Sequence, residues 1–389
     1  MYFLESAITL FLGAFLLTYL TIPKIIRLVE YKRLMDDPNH RSSHKGKTPT
    51  LGGAAFFYTL IIALFFIKSW STFDEGMYII PGLTILFIVG LKDDLVVLSP
   101  LSKLIAQTLA VSFVLANEGF IIHSLNGFLN INEIPYFLYL GIAGFMMITI
   151  INSYNLIDGI DGLASIVGIV ILVIYTTIFY LSGEYYYSLI GLTLNASLMA
   201  FFGYNISGDR KIFMGDTGSL IVGFIISVLT LKFLALKPQD YTELPFLLEN
   251  APLIAISILI VPLFDTARVF AIRLSQKRGP FSPDRNHTHH VLIDHWGLSH
   301  KQASFLIGTF NLIFVMLFIV LGSTAKNIGM VIMLVTVVIV LGYVFFKYNY
   351  NFSTLKQKII LRKKVDSLKT KIEKPTLKKL KKKKSDFKN

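Results

Sequence analysis

An all-α polytopic membrane fold of about eleven transmembrane helices, amino terminus outside and carboxyl terminus cytoplasmic, follows from three properties of this 389-residue chain. Hydrophobic residues make up 54%, aromatics 13% and charged residues only 16%, with a mean hydropathy of +0.63, more apolar than a soluble core requires. Apolar runs of roughly 15 to 24 residues, near the length that crosses a bilayer, recur along the chain. The charges between them segregate by sign.

The runs fall near 4–28, 51–68, 77–91, 101–117, 135–152, 160–182, 185–204, 216–236, 251–274, 303–322 and 328–347. The first follows Met1-Tyr-Phe-Leu-Glu5, which has neither the basic flank nor the cleavage pattern of a signal peptide, so it is expected to be a retained span. The third and fourth are short. Pro23, Pro81 and Pro262 are expected to kink their helices. Between the fourth and fifth, Glu118 to Pro135 contains Gly and Asn among alternating apolar residues and is expected to form a small outer hairpin. Residues 1–350 are expected to form one membrane-embedded domain, and 351–389 a basic, disordered cytoplasmic tail.

An odd number of spans puts the termini on opposite sides, and the excess of Lys and Arg selects the orientation. One set of connections holds Lys32, Arg33, Arg41, Lys45 and Lys47, then Lys92, then Arg210 and Lys211, then Lys277, Arg278 and Arg285, then the tail; it is assigned to the cytoplasm. The opposite set carries Asp74, Glu75, Glu118, Glu133, Glu184, Asp240, Glu243 and Glu249. The net charge of +13 resides almost wholly in the tail, where fifteen Lys and Arg face three acidic residues. Beside a membrane domain such a run suits anionic lipid headgroups, and no nucleic-acid role is assigned to it. With no cysteine, a disulfide framework, a thiolate nucleophile and a Cys-ligated zinc site are all excluded.

Five polar clusters all fall in the cytoplasmic connections: Asp36 to Gly53, Lys92-Asp-Asp94, Asn152 to Gly162, Asn205 to Ser219 and Asp284 to His290. Acids at a membrane boundary are expensive and mark function. Adjacent Asp93 and Asp94 need either a hard divalent cation or a proton to be taken, and Asp158, Asp161 and Asp216 offer further oxygen ligands of the kind magnesium prefers. Asp158 and Asp161, three apart, would share a face if their stretch enters a helix. Phe213-Met-Gly-Asp-Thr-Gly-Ser-Leu220 puts hydroxyls, glycines and an acid at a helix start, where backbone amides can bind phosphate. Asp284-Arg-Asn-His-Thr-His-His290 supplies donors for a diphosphate, with Arg285 able to clamp oxygens bidentately. Arg41-Ser-Ser-His-Lys-Gly-Lys-Thr-Pro-Thr-Leu-Gly-Gly53 adds a cationic loop. Together they describe a site acidic at its centre and basic at its rim, reached from water and from lipid. An ion-coupled transporter is the rival from another class, but transporters keep such acids near the midplane.

These motifs resemble the polyprenyl-phosphate N-acetylhexosamine-1-phosphate transferases, glycosyltransferase family 4, related to phospho-N-acetylmuramoyl-pentapeptide translocase. The resemblance runs over nearly the whole chain before the tail, carried by Asp37-Pro38 to Gly53, Asp93-Asp94 with Lys103, Asn155-Leu-Ile-Asp-Gly-Ile-Asp-Gly162, Phe213 to Ser219 and the His cluster. It implies a bacterial inner-membrane enzyme of the phosphoglycosyl transferase type with its site facing the cytoplasm. Undecaprenyl phosphate would attack the sugar-bearing phosphorus of a UDP-sugar, releasing UMP and beginning a cell-envelope glycan such as lipopolysaccharide O-antigen. By similarity Asp161 and Asp216 hold Mg2+, with Mn2+ as an alternative; Asp93 and Asp94 are catalytic and orient or deprotonate the lipid phosphate. Arg285, His287, His289 and His290 grip the nucleotide diphosphate, and Lys45, Lys103, Asn155, Asp158 and Asn205 contact substrate. A homodimer is compatible with this reading. Pro283 to His290 resembles the branch using UDP-N-acetylglucosamine, with the muramoyl-pentapeptide or another UDP-N-acetylhexosamine as the alternative. Two departures stand out: Thr288 replaces a commonly aliphatic residue, and Val97 stands where a third acid often follows Asp94.

Overall fold

The structure, a computed structural model, describes residues 2–32, 34–36, 48–70, 74–279 and 287–345. The expected tail, Lys45 and Arg285 lie outside the described residues. The chain divides into two units, Met1–Thr336 and Val337–Asn389.

The fold is helical, as bilayer burial demands: in lipid every backbone polar group needs an internal partner. In order, the helices are α1 Tyr2–Lys32, α2 Gly53–Phe66, α3 Glu75–Leu95, α4 Pro100–Leu115, α5 Tyr136–Ile157, α6 Leu163–Leu181, α7 Tyr185–Asn205, α8 Gly215–Leu234, α9 Ala251–Ile258, α10 Ile260–Ser275, α11 Thr288–Trp296 and α12 His300–Gly322. A further helix, α13, runs over Asn327–Phe345. Among the described residues eight helices are long and apolar enough to cross a membrane, or nine if α9 and α10 form one broken span, while α2 and α4 are shorter apolar helices.

Helix α8 is the axis, with 94% of its most apolar stretch buried; it packs against α3 and α5 and also touches α2, α6 and α9. Helices α1 and α13, of similar and of greater hydropathy, are only 11% buried, as expected where lipid rather than protein covers the side chains. Helices α1 and α3 continue through Pro23 and Pro81. The third expected kink is real: α9 and α10 meet at 65° beside Leu259. Pro262 has no N–H to donate to the Ile258 carbonyl, which frees the ladder one turn before it.

The sequence expectation fails at Glu118 to Pro135. No strand pair forms there; 3-10 turns occupy Glu118–Phe120 and Phe128–Asn130, with the Ile134 N–H donating to the His123 carbonyl at 3.0 Å. Positive φ at Asn126, Gly127, Leu129 and Asn130 takes this backbone out of the extended region. The ladder that does form is a two-stranded antiparallel one, β1 Met35–Asp36 with β2 Thr48–Pro49, at the mouth of the cationic loop.

Candidate active site

The final turn of α3 and the first turn of α8 meet at the centre of the site. Asp94 seats the amino end of α8: its Oδ1 accepts from the Asp216 N–H at 2.8 Å, and its Oδ2 from the Thr217 N–H at 3.0 Å and the Thr217 hydroxyl at 2.5 Å. The amides expected to bind phosphate are therefore held by a carboxylate of the protein itself. Gly215 makes the approach feasible, since its φ is +72° and a Cβ there would lie 2.6 Å from Asp94 Oδ2.

Asp93, next in the same turn, points elsewhere. Its Oδ1 accepts from the Leu98 N–H at 2.6 Å, and its Oδ2 lies 2.5 Å from the Lys103 Nζ on α4. That ammonium also stands 3.0 Å from Asp216 Oδ2, so it bridges two acids that come from helices far apart in sequence. Asn155, at the end of α5, donates through Nδ2 to Asp216 Oδ1 and at 2.8 Å to the Ser219 hydroxyl. Val97 is 91% exposed in the α3–α4 connection, so an acid at this position would stand in solvent rather than in the centre.

The end of the cationic loop docks on this centre through main chain. The Phe213 N–H donates to the Pro49 carbonyl at 2.8 Å, Gly52 N–H to the Phe213 carbonyl at 3.1 Å, and Gly53 N–H to the Met214 carbonyl at 3.1 Å. Two motifs separated by some 160 residues are thus joined backbone to backbone.

The Asn152 to Leu163 stretch corrects one expectation. Helix α5 ends at Ile157 and α6 begins at Leu163, so Asp158 and Asp161 lie in a non-helical turn and do not share a helical face. Asp161 Oδ2 accepts from the Lys211 ammonium at 2.7 Å and from His300 Nδ1 at 3.3 Å, and the Ser304 hydroxyl donates to the Asp161 carbonyl at 2.8 Å. Burial raises the Asp161 carboxyl, but the hydrogen bonds and charges of His300 and Lys211 prevail and hold it below its ordinary value. Asp158 has no such relief. Burial, then the charges of Asp216, Asp94 and Asp161, push it up to about 8.

Asn205, at the end of α7, is buried and spends both ends of its amide on backbone: Oδ1 accepts from Gly162 N–H at 2.6 Å and Nδ2 donates to the Ile212 carbonyl at 2.9 Å. It ties the turn to the segment leading into α8. From the other side His289 packs onto the turn, its Nε2 lying 2.6 Å from where a Cβ on Gly159 would stand. His287 donates from Nδ1 to Asp265 Oδ2 at 2.6 Å, and the rings of His287, His289 and His290 follow one another in contact.

Residues from all five polar clusters therefore meet at one end of the bundle. Lys211, His300, Ser304 and Asp265 join them without having been singled out from the sequence. Asp265 carried a readable signal, an acid within an apolar run three residues after Pro262. Lys211 lies two residues before the Phe213 to Ser219 motif. His300 and Ser304 carried none, because they reach the turn only through the placement of α12.

The donor set fits a hard divalent cation: the groups are carboxylate oxygens, and an ammonium already lies where two of them converge. Among the described residues no three Asp, Glu or His side chains stand as a ready-made ligand set, since Asp216 is engaged by Lys103 and Asn155, and Asp161 by Lys211 and His300.

Comparison with known proteins shows which family the chain resembles. The family described as glycosyl transferase family 4 matches residues 77–234, from α3 through α8. A probable undecaprenyl-phosphate N-acetylglucosaminyl 1-phosphate transferase of Bacillus subtilis (strain 168) is 30% identical over 329 residues, covering 83% of this chain and 87% of the relative. Undecaprenyl-phosphate alpha-N-acetylglucosaminyl 1-phosphate transferases of Yersinia pestis and Escherichia coli (strain K12) are 29% and 27% identical, covering 70% and 76% of this chain and 73% and 78% of their own lengths.

Proposed function

Because the chain belongs to glycosyl transferase family 4 and is a membrane-bound phosphoglycosyl transferase, we propose that it moves N-acetylglucosamine 1-phosphate from its UDP-sugar to undecaprenyl phosphate. UMP is released, and the lipid-linked sugar diphosphate begins a cell-envelope glycan. The observation that carries this reading is the Asp93–Lys103–Asp216 bridge beside Asp94, an acidic, cation-seeking centre at the end of two apolar helices. A lipid phosphate can reach such a place from the bilayer and a nucleotide from water.

In this reading Asp216 and Asp161 would hold Mg2+, which would supply positive charge to offset that of the donor diphosphate. Asp93, drawn toward Lys103, faces the place where the lipid phosphate arrives, to orient it or take its proton. Asp94 keeps the α8 amino end, and with it Asp216, in place. Asn155 holds the other oxygen of Asp216 in register. The His cluster with Arg285 grips the diphosphate, and Lys45 lies on the cationic rim.

Eight long helices, the bent α9–α10 pair and the shorter α2 and α4 supply eleven crossings, with the amino terminus outside and the site toward the cytoplasm of a bacterial inner membrane. The gathering of the Lys- and Arg-bearing connections around the site supports that orientation. Purified protein given undecaprenyl phosphate and Mg2+ is expected to release UMP from UDP-N-acetylglucosamine and not from the muramoyl-pentapeptide donor. No release with any UDP-sugar would sink the proposal.

A further inference from the structure

Asp265 lies on α10 and is 3% exposed, inside a helix pair apolar enough to cross the membrane. A carboxylate so placed is expensive unless donors surround it. Three do: His287 Nδ1 at 2.6 Å from Oδ2, and the Thr288 N–H and Thr288 hydroxyl each at 2.6 Å from Oδ1; the Arg268 guanidinium follows at 3.8 Å. Two of these donors belong to the first residue of α11, so the carboxylate pins that helix to α10.

The consequence appears one residue on. His289 stacks on His287 with ring centroids 5.6 Å apart and planes 12° from parallel. It is 2% exposed, and its Nε2 has no hydrogen-bond partner among the described residues. That nitrogen lies over Gly159, where the lack of a side chain lets the ring come close to the Asp158–Asp161 turn. Burial, then the charge of His290, hold the His289 imidazole well below its usual range, so it is neutral at physiological pH. A buried polar nitrogen without a partner is costly, and this one lies over the acidic turn of the site, where a ligand would relieve it.

We propose that Asp265 is a positioning residue: by clamping His287 and Thr288 it fixes α11 so that the Nε2 of His289 is presented, over Gly159, to the diphosphate of the donor. This rests on the transferase reading above and divides the His cluster, with His287 as support and His289 as the group that meets substrate. A clamp serving stability alone would work as well with apolar packing in place of the carboxylate. The free nitrogen on the far side of the stacked ring is what gives the carboxylate a purpose.

The test uses the full-length protein in detergent. Asp265→Asn is expected to raise the KM for UDP-N-acetylglucosamine by about 10- to 100-fold, the range found when groups that orient a functional His are removed. The KM for undecaprenyl phosphate is expected to stay unchanged. His289→Ala is expected to show the same donor-specific defect, and the double variant to be no worse than His289→Ala alone. Effects that multiply, or a KM rise shared by both substrates, would overturn the proposal. Gly159→Ala displaces the ring from its other side and needs no change at Asp265. A donor-specific defect there that does not add to His289→Ala supports the proposal even if Asp265→Asn fails to fold, and an unchanged donor KM overturns it. If the wild-type protein turns over no UDP-sugar, the transferase reading falls. The clamp is then judged by amide exchange over 287–296, where unchanged protection in Asp265→Asn overturns it.

Discussion

Two acidic regions meet at the active end of this bundle, and they manage like charge in different ways. Where α3 meets α8, Asp93, Asp94 and Asp216 each receive two or more donors, and one ammonium spans two of them. In the turn between α5 and α6, Asp161 has Lys211 and His300, while the Asp158 carboxyl, set among the charges of Asp216, Asp94 and Asp161, is pushed up to about 8. The first region is built and waiting. The second is left with an unrelieved acid, as fits a surface that a cation or substrate completes.

Substitutions can break that comparison. The largest expected effect is at the carboxylates proposed to hold the metal: Asp216→Asn should lower turnover by about 10²- to 10³-fold or more, the scale of losing one charge-stabilising group in a site. Asp161→Asn should abolish UMP release equally, with an unchanged melting temperature. Near-normal activity in Asp161→Asn would leave the turn with no part in the chemistry.

Smaller effects are expected from the two lysines, and their ratio sharpens the contrast. Lys103→Met leaves two carboxylates facing each other and should cost about 1.5–3 kcal/mol, the scale of a charged hydrogen bond, read as roughly 10- to 100-fold in kcat/KM. Lys211→Met leaves Asp161 with His300 and should cost about tenfold or less. Equal losses would show that the turn depends on its lysine as strongly as the centre does.

The smallest effect is a pH dependence. The Asp158 carboxyl is raised in the folded protein from the model-peptide value of 3.8 to about 8, so the fold binds its proton more tightly than the unfolded chain does. The destabilisation is absent below about pH 4, grows as pH rises, and is complete above about pH 8. Asp158→Asn should therefore raise the melting temperature at pH 8.5 and leave it unchanged at pH 4, measured without divalent cations. An equal gain at both would mean that charge at Asp158 is not the cause.

Much of this was legible in the chain. Each apolar run corresponds to a helix or a bent pair, because the bilayer leaves the backbone no alternative. The polar clusters were legible for the converse reason: a carboxylate in an apolar chain is too expensive to be incidental. What could not be read were pairings between helices. Nothing in the order of residues says that Asp94 would cap α8, that Lys103 would join Asp93 to Asp216, or that His300 would reach Asp161. The Glu118 to Pro135 segment was misread because alternation of apolar residues signals a strand only if the backbone stays extended, and four residues of positive φ take it elsewhere.

The sequence by itself determined a helical membrane protein with five polar clusters of acids, glycines and histidines in its connections. Those facts depend on the solvent and on local chain chemistry, which act residue by residue. Only the tertiary structure decided which acid is held ionised by its donors and which, set among like charges, keeps its proton. Those outcomes depend on distances of a few ångströms between helices, and a linear pattern of residue types does not contain them.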